Sequence, residues 1–327
     1  MSNQQLEMKT PLGLLLNDEP LASYTTWRVG GDAKKLYKPA GIDDLATFLQ
    51  TLPAGEPILW LGLGSNTLIR DRGYIGTVIL TQSCLKGLEL LGPDTIRVEA
   101  GVSCAKMARF CARNDLSGGE FWAGIPGTMG GALRMNAGCF NGETWNYVQE
   151  VETMNRFGKI TNRNPEEFSI AYRHVYGLED DEWFVSATCK LPRGEKSESM
   201  QIIKDLLDRR ARTQPTSEFN CGSVFRNPPN DHAAKLIESC GLKGKVIGGA
   251  QVSLKHANFI INSKGISASL SMPCKHPSSY KGPCAMGKTT STSSANFPSI
   301  TKEGSKVEFA VLMGSVSSPN SLEASLR

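Results

Sequence analysis

The 327-residue sequence lacks the cysteine pairs and spaced metal ligands that mark many small functional sites. Its nine cysteines include no CxxC pair, and its four histidines lie far apart without an HExxH pattern. Several of the cysteines occupy apolar positions of predicted elements, where a free thiol behaves as a small hydrophobic side chain. The sequence therefore predicts neither disulfides nor a bound metal ion.

Long apolar runs and a strong net charge are also missing. No apolar stretch approaches the length of about 20 residues that crosses a bilayer, and the polar start MSNQQLEMKT lacks the pattern of a signal peptide. The net charge is only +4, and no basic stripe is interleaved with aromatic residues. We therefore expect a soluble, cytoplasmic protein that neither inserts into membranes nor binds nucleic acid. We also expect a monomer, a property on which composition and charge do not bear.

Helix and strand patterns divide the body of the chain into three units. The first, residues 20–80, is βαββ-like, with strands predicted at YTTWRVGG, KKLYKPA, PILWLGLG and YIGTVIL and a helix at DDLATFLQTL. The second, residues 85–192, has strands predicted at TIRVEAG, VQEVETMN and WFVSATCKL and one well-supported helix. One face of that helix is formed by Cys104, Met107, Ala108 and Cys111.

A connector helix precedes the third unit, with Ser197 as its expected N-cap and Pro215 as its stop. The third unit holds NCGSVFRNPP, a helix over about 231–240 and the strand HANFIIN. After Gly265 the sequence is rich in Ser, Pro and Lys and has no helical or alternating period. Such a segment cannot bury enough apolar surface to offset the entropy of ordering, so we expect it to be disordered.

Two glycine-rich stretches have the composition of backbone that approaches a ligand closely. LGLGSNTLIRDRG places Gly62, Gly64, Ser65 and Asn66 directly after an apolar strand, where backbone N–H groups and polar side chains can face a phosphate. It is not a Rossmann fingerprint, because Thr67 replaces the third glycine and a strand, rather than a helix, is expected to follow. A plain tight turn is the alternative.

The second stretch, GIPGTMGGALRMNAGCFNGE (124–143), interleaves glycines with bulky residues. This pattern suits a surface that lies against a large flat ligand, and a glycine-rich turn region is the alternative. Two further positions stand out less by themselves. Arg173 in AYRHVYG reads as a surface charge, and Ser223 in NCGSVFRNPP has no nearby histidine or acid that would make it a nucleophile.

These stretches, together with AAKLIESCGLKG and GGAQVSLKHANFIIN, resemble in their order the UDP-N-acetylenolpyruvoylglucosamine reductase family. The resemblance runs over residues 24–262 and favours the shorter of the family's two types. It implies an α+β fold with a two-subdomain FAD-binding domain of the vanillyl-alcohol-oxidase (PCMH) type and a smaller α/β substrate-binding domain. The implied divisions are an N-terminal segment 1–21, the FAD domain 22–193, the substrate domain 194–265 and an atypical tail 266–327.

The resemblance implies reduction of the enolpyruvyl group of UDP-N-acetylglucosamine enolpyruvate by NADPH through non-covalent FAD, in peptidoglycan precursor synthesis. Ser223 matches the family's proton donor, and Arg173 matches the arginine that faces the substrate carboxylate. Asn227 matches an asparagine that helps to hold the nucleotide part of the substrate, and Tyr172 is a further substrate-binding candidate. Lys235 and His256 are weaker candidates, and a solvated helix residue is the alternative for Lys235. The implied FAD-binding residues are Gly62, Gly64, Ser65, Asn66, Gly124, Ile125, Gly127, Thr128, Gly131, Ala132, Asn136 and Gly138.

The resemblance to the family stops at about Ser263. The family's C-terminal glutamate, which works beside the arginine, is matched only by Glu308 in SKVEFAVLMG, without the helix that should precede it. We hypothesise that the reading frame changes near codon 264, which the other frames of the DNA would test. Two other functions stay open: a flavin- or nucleotide-binding protein without turnover, and an FAD-dependent alcohol oxidase with the same domain.

Overall fold

The structure is a computed structural model that describes residues 10–263. Its strands, in chain order, are β1 (Leu14–Pro20), β2 (Asp32–Lys38), β3 (Ile58–Leu61), β4 (Tyr74–Leu80), β5 (Leu88–Leu90), β6 (Thr95–Glu99), β7 (Gly138–Cys139), β8 (Gly142–Glu143), β9 (Val148–Asn155), β10 (Ile160–Arg163), β11 (Ser169–Ala171), β12 (His174–Tyr176), β13 (Glu182–Lys190), β14 (Asn220–Ser223), β15 (Val246–Ile247), β16 (Ala250–Val252) and β17 (Phe259–Asn262). The α-helices are α1 (Ile42–Gln50), α2 (Cys104–Arg113), α3 (Met129–Met135), α4 (Lys196–Thr213) and α5 (Ala233–Ser239). The tail that we expect to be disordered, including Glu308, lies outside the described residues.

The first sheet has the order β1-β2-β4-β3, with β2, β4 and β3 parallel and β1 antiparallel at one edge. β1 lies in the segment that was expected to precede the domain, and it pairs along β2. The prediction of a strand at YTTWRVGG is wrong. This stretch instead contains the end of a 3-10 helix, Leu21–Tyr24, followed by a turn. Arg28 there has a φ of 59°, which a regular strand does not allow.

The second sheet is antiparallel, with the order β10-β9-β13-β6-β5. α2 packs against it through the predicted face, whose four residues are all buried. α4 also packs on this core through Ile203. The prediction of Ser197 as N-cap is wrong, because the N-cap position lies two residues earlier, at Glu195, which makes no side-chain hydrogen bond there. The buried Ser199 instead donates from its hydroxyl to Oε1 of Glu120 at 2.6 Å.

The third sheet is antiparallel, with the order β14-β17-β16-β15, and α5 packs against it. Its core includes Trp27 and Val29, which precede β2 in the chain. Nε1 of Trp27 donates to the carbonyl oxygen of Ile260 at 2.8 Å. The segment between the first two strands therefore joins the third sheet to the first unit.

Neither a membrane-spanning helix nor a cluster of metal ligands occurs within residues 10–263. No helix in this range has the length and apolar character needed to cross a bilayer. In the same range, no cluster of three or more His, Cys, Asp or Glu side chains could hold a metal ion.

Candidate active site

The first glycine-rich loop begins where β3 ends. Gly64 has a φ of +66°, and a Cβ there would lie 2.4 Å from the carbonyl oxygen of Tyr24, so only glycine fits. The amide of Thr26 donates to the carbonyl oxygen of Gly64 at 3.3 Å, which ties the loop to the segment before β2. Nδ2 of Asn66 lies 3.8 Å from Sδ of Met135, at the end of α3.

The second glycine-rich stretch passes directly beside this loop. A Cβ added at Gly62 would lie 2.4 Å from Oγ1 of Thr128, and one added at Gly127 would lie 3.7 Å from Oγ of Ser65. The stretch is held from the other side by the amide of Gly130, which donates to the carbonyl oxygen of Ala100 at 2.9 Å. Two stretches more than fifty residues apart in the sequence thus form one wall.

The backbone along this wall suits a phosphate-bearing cofactor. At Gly127 and Gly131, the nearest atoms to an added Cβ would be side-chain oxygens at 3.7 Å and 3.9 Å, so the backbone there is open. Glycine backbone of this kind can approach a pyrophosphate closely, and the neighbouring hydroxyls of Ser65 and Thr128 can donate hydrogen bonds to it. These residues are therefore suited to hold FAD.

Other residues expected to bind FAD have roles within the protein. Asn136 ends α3 in the left-handed conformation, at a φ of 39°, and its Nδ2 donates to Oε2 of Glu143 at 2.9 Å. Ala132 is buried in the core, and Ile125 packs beside that core. Gly138 pairs with Glu143 in the small β7–β8 hairpin. Gly124 lies close to this hairpin, because a Cβ there would be 2.9 Å from Sγ of Cys139.

Arg173 lies in the turn between β11 and β12, with a φ of 55°. Its Nη1 donates to the carbonyl oxygen of Phe225 at 3.4 Å, and Nη2 of Arg226 donates to the Arg173 carbonyl oxygen at 3.2 Å. The neighbouring Tyr172 is exposed. The structure thus brings Arg173 into contact with Phe225, which lies two residues after Ser223 and 52 residues after the arginine.

Ser223 is half-buried at the end of β14 and pairs with Phe259 of β17. Its hydroxyl forms no hydrogen bond to the residues described in the structure, so it remains available as a donor. The preceding Gly222 has a φ of +80°, which distorts the strand just before the serine. This local geometry could not be read from the short β-like run in the sequence.

Asn258 is a site-supporting residue that the sequence reasoning missed. Its Oδ1 accepts from the Phe225 amide at 2.9 Å, and its Nδ2 donates to the Phe225 carbonyl oxygen at 2.9 Å. In the sequence, Asn258 stands directly before the apolar run of HANFIIN, and a polar side chain buried in such a run needs hydrogen-bond partners. The partners themselves lie on a distant segment, so the sequence did not identify them.

The remaining candidates lie around α5 and β17. Oδ1 of Asn227 accepts from the amide of Ala233 at 3.1 Å, at the start of α5. The Lys235 side chain is 77% exposed, and its Nζ is 3.8 Å from Asp231. His256 accepts at Nδ1 from the amide of Asn258 at 3.3 Å, and burial lowers its pKa.

Two family profiles match the chain. The profile "FAD binding domain" matches residues 33–163. The profile "UDP-N-acetylenolpyruvoylglucosamine reductase, C-terminal domain" matches residues 214–271. α4 lies between the two matches and packs on the core of the second sheet. Neither match fixes a domain boundary, so the division at residue 194 stays a prediction.

The chain is similar to several proteins that carry one name. UDP-N-acetylenolpyruvoylglucosamine reductase of Legionella pneumophila (strain Corby) is 72% identical over 253 residues, which cover 77% of this chain and 82% of the relative. The Methylococcus capsulatus protein of the same name is 57% identical over 251 residues, covering 77% and 82%. The crystal structure of UDP-N-acetylenolpyruvylglucosamine reductase from Thermus caldophilus matches with a TM-score of 0.66 and 32% identity, covering 77% of this chain and 88% of that one.

The fold and the paired glycine loops define an FAD-binding protein with a two-subdomain flavin domain and a smaller third unit. The predicted fold class and the predicted cofactor FAD are thereby confirmed. At this level of identity and coverage, the chain belongs to the UDP-N-acetylenolpyruvoylglucosamine reductase family.

Proposed function

We propose that this chain reduces the enolpyruvyl group of UDP-N-acetylglucosamine enolpyruvate to give UDP-N-acetylmuramate, with NADPH as the hydride donor. FAD would bind along the wall that the two glycine-rich stretches form. The observation that carries the proposal is the contact between Arg173 and the segment after Ser223, through the Phe225 carbonyl oxygen at 3.4 Å. Through this contact, a cation is tied to the backbone two residues after an available hydroxyl. An alcohol oxidase would have no evident use for that pair.

The chemistry that bound FAD would supply here is hydride transfer from NADPH to C3 of the substrate alkene. The protein must then stabilise the negative charge that develops at C2 and spreads to the adjacent carboxylate. A guanidinium held in place before the reaction does this without reorganisation, which is the basis of electrostatic preorganisation. We assign this role to Arg173, and Tyr172 beside it supplies an exposed aromatic surface for the substrate.

Ser223 supplies the matching proton. Its O–H bond breaks as the new C2–H bond forms, and the serine oxygen regains a proton from solvent. A hydroxyl is a weak acid, so its position and the nearby cation must compensate for its high pKa. No acyl group is transferred in this reaction, so the serine needs no histidine and acid to make it a nucleophile.

The experiment that tests this function follows the two halves of the reaction separately. The purified chain should bind FAD, and NADPH should bleach the flavin absorbance. The colour should return in the absence of oxygen only when the UDP-enolpyruvyl sugar is added. A protein that takes up FAD but is never reoxidised by this sugar would instead be a flavin-binding protein without this turnover.

The Ser223→Ala variant tests the proton donor. It should still be bleached by NADPH, while product formation falls by about 10²-fold or more, the usual contribution of a general acid. Ser197→Ala, at an exposed position on α4, is the matched control and should retain both steps. Equal loss of both steps in Ser223→Ala would show that the serine only supports the structure.

Several finer points belong to the same proposal. Asn227 and Lys235 are proposed to lie along the nucleotide part of the substrate. Glu308 is proposed as the second group on the carboxylate, and it lies outside the described residues. The protein is proposed to act as a cytoplasmic monomer, in the compartment where nucleotide sugars and NADPH are available.

A further inference from the structure

The side chain of Asn258 makes two hydrogen bonds to one residue of the segment after Ser223. It accepts from the amide of Phe225 and donates to the Phe225 carbonyl oxygen, both at 2.9 Å. The carbonyl oxygen of Asn258 also accepts from the amide of Val224 at 2.9 Å. Asn258 is only 3% exposed, so water does not compete for these bonds. The two residues that follow the serine are therefore held by a single residue.

The Phe225 carbonyl oxygen has two donors. One is Nδ2 of Asn258 at 2.9 Å, and the other is Nη1 of Arg173 at 3.4 Å. A carbonyl oxygen has two lone pairs, so it can accept both bonds at once. Asn258 thus orients the acceptor that receives the arginine, and through the adjoining backbone it also fixes the end of β14 that carries Ser223.

We propose that Asn258 is a positioning residue for the reaction proposed above, on which this inference rests. It sets the placement of the Ser223 hydroxyl relative to the Arg173 guanidinium, so that both act on neighbouring groups of one substrate. Catalysis depends steeply on such placement, since a displacement of about 1 Å can cost about 10²-fold in rate. Asn258 itself is buried, and it acts through the backbone of Val224 and Phe225.

The Asn258→Asp variant tests this role with little change in shape. It keeps an acceptor for the Phe225 amide but places a carboxylate oxygen, rather than an amide donor, against the Phe225 carbonyl oxygen. The two oxygens repel each other, and the new charge attracts Arg173 away from its place. Asn262→Asp is the matched control, because Asn262 is also a nearly buried amide next to Phe259–Ile261, donating to the Trp27 carbonyl oxygen at 3.3 Å.

Ligand binding gives a readout that does not depend on turnover. UDP-N-acetylmuramate carries the carboxylate that Arg173 is proposed to face, whereas UDP-N-acetylglucosamine lacks it. By calorimetry, Asn258→Asp should weaken binding of the first ligand by about tenfold and of the second by less than about twofold, since only one ion pair is misplaced. Asn262→Asp should change the two affinities equally.

The two half-reactions give the second readout. In Asn258→Asp, bleaching by NADPH should stay within about twofold of wild type, and reoxidation by the UDP-enolpyruvyl sugar should slow by about tenfold or more. In a Ser223→Ala background, the same change should slow reoxidation by a smaller factor than in the wild-type background, because only the contribution through Arg173 remains to be lost. Fully additive losses would overturn the inference.

The outcomes separate this inference from the proposed function. A wild-type chain that the sugar does not reoxidise overturns the proposed function. A wild-type chain that turns over, with Asn258→Asp equal to it in both readouts, overturns only the role of Asn258. If Asn258→Asp does not fold, Asn258→Ser takes its place under the same measurements, because a short hydroxyl cannot bond both the amide and the carbonyl oxygen of Phe225.

Discussion

Asn227 is a residue that can have two roles at once. Its Oδ1 caps the start of α5 by accepting from the Ala233 amide, so Asn227→Ala should lower the free energy of unfolding by about 1 kcal/mol. Asn227→Asp keeps the accepting oxygen and should preserve stability in urea unfolding. If the Asn227 amide also donates to the substrate, the KM for the UDP-sugar rises in both variants. An unchanged KM in Asn227→Asp would limit the residue to its structural role.

At the scale of single residues, the resemblance to the family singled out Ser223 and Arg173, but the sequence could not show the contact between Arg173 and the segment after Ser223. Arg173 itself has a positive φ, and so does Gly222, which precedes the serine. The contact also depends on Asn258, from a third segment. Such long-range contacts leave little pattern in a single sequence, so the supporting amide was missed.

At the scale of elements, α2 and α4 differ in how their N-termini are capped. Oγ of Ser103 accepts from the Lys106 amide at 3.2 Å, so Ser103→Ala should lower the free energy of unfolding by about 1 kcal/mol. Ser197, exposed on the first turn of α4, makes no such bond, so Ser197→Ala should stay within about 0.5 kcal/mol of wild type. Urea unfolding of both variants measures the difference. A larger loss for Ser197→Ala would contradict the observed start of α4.

The same two helices show why some elements were predictable. α2 has a strong apolar periodicity that packs on one sheet, and the sequence predicted both the helix and its buried face. α4 buries Ser199 and Ile203, while Met200 stays exposed, because its contact face includes a serine paired with Glu120. A polar residue on a buried face weakens the apolar periodicity from which the start of a helix is predicted.

The stretch YTTWRVGG failed as a strand prediction because long-range contacts determine its conformation. Oγ1 of Thr26 donates to the Asn220 carbonyl oxygen at 2.6 Å, and the Thr26 amide bonds the Gly64 loop. Trp27 is buried in the core of the third sheet. This short segment thus links the Gly64 loop to the strand that carries Ser223, although its aromatic and β-branched composition alone favours a strand.

At the scale of the whole molecule, the stability of the third unit should depend on pH through His256. Burial lowers its pKa and a backbone hydrogen bond opposes this, while the charges of Lys243 and Glu238 have smaller effects that lower and raise the pKa, respectively. The folded protein therefore binds fewer protons than the unfolded chain below a pH of about 6.5, the ordinary histidine pKa. Stability is fully present above that pH and decreases as the pH falls, because protonation also removes the Nδ1 acceptor of the Asn258 amide.

The His256→Asn variant should flatten this dependence, because the amide has no titrating group and can still accept a hydrogen bond. The free energy of unfolding, measured in urea at pH 7 and pH 5, should drop more for wild type than for His256→Asn. The carboxylates are the same in both proteins and do not contribute to the difference, and the lowered pKa values of Asp44 and Glu56 place their protonation at more acidic pH. His232→Asn, at an exposed position that precedes α5, is the matched control and should keep the wild-type slope. An equal drop in wild type and His256→Asn would assign the pH dependence to other groups.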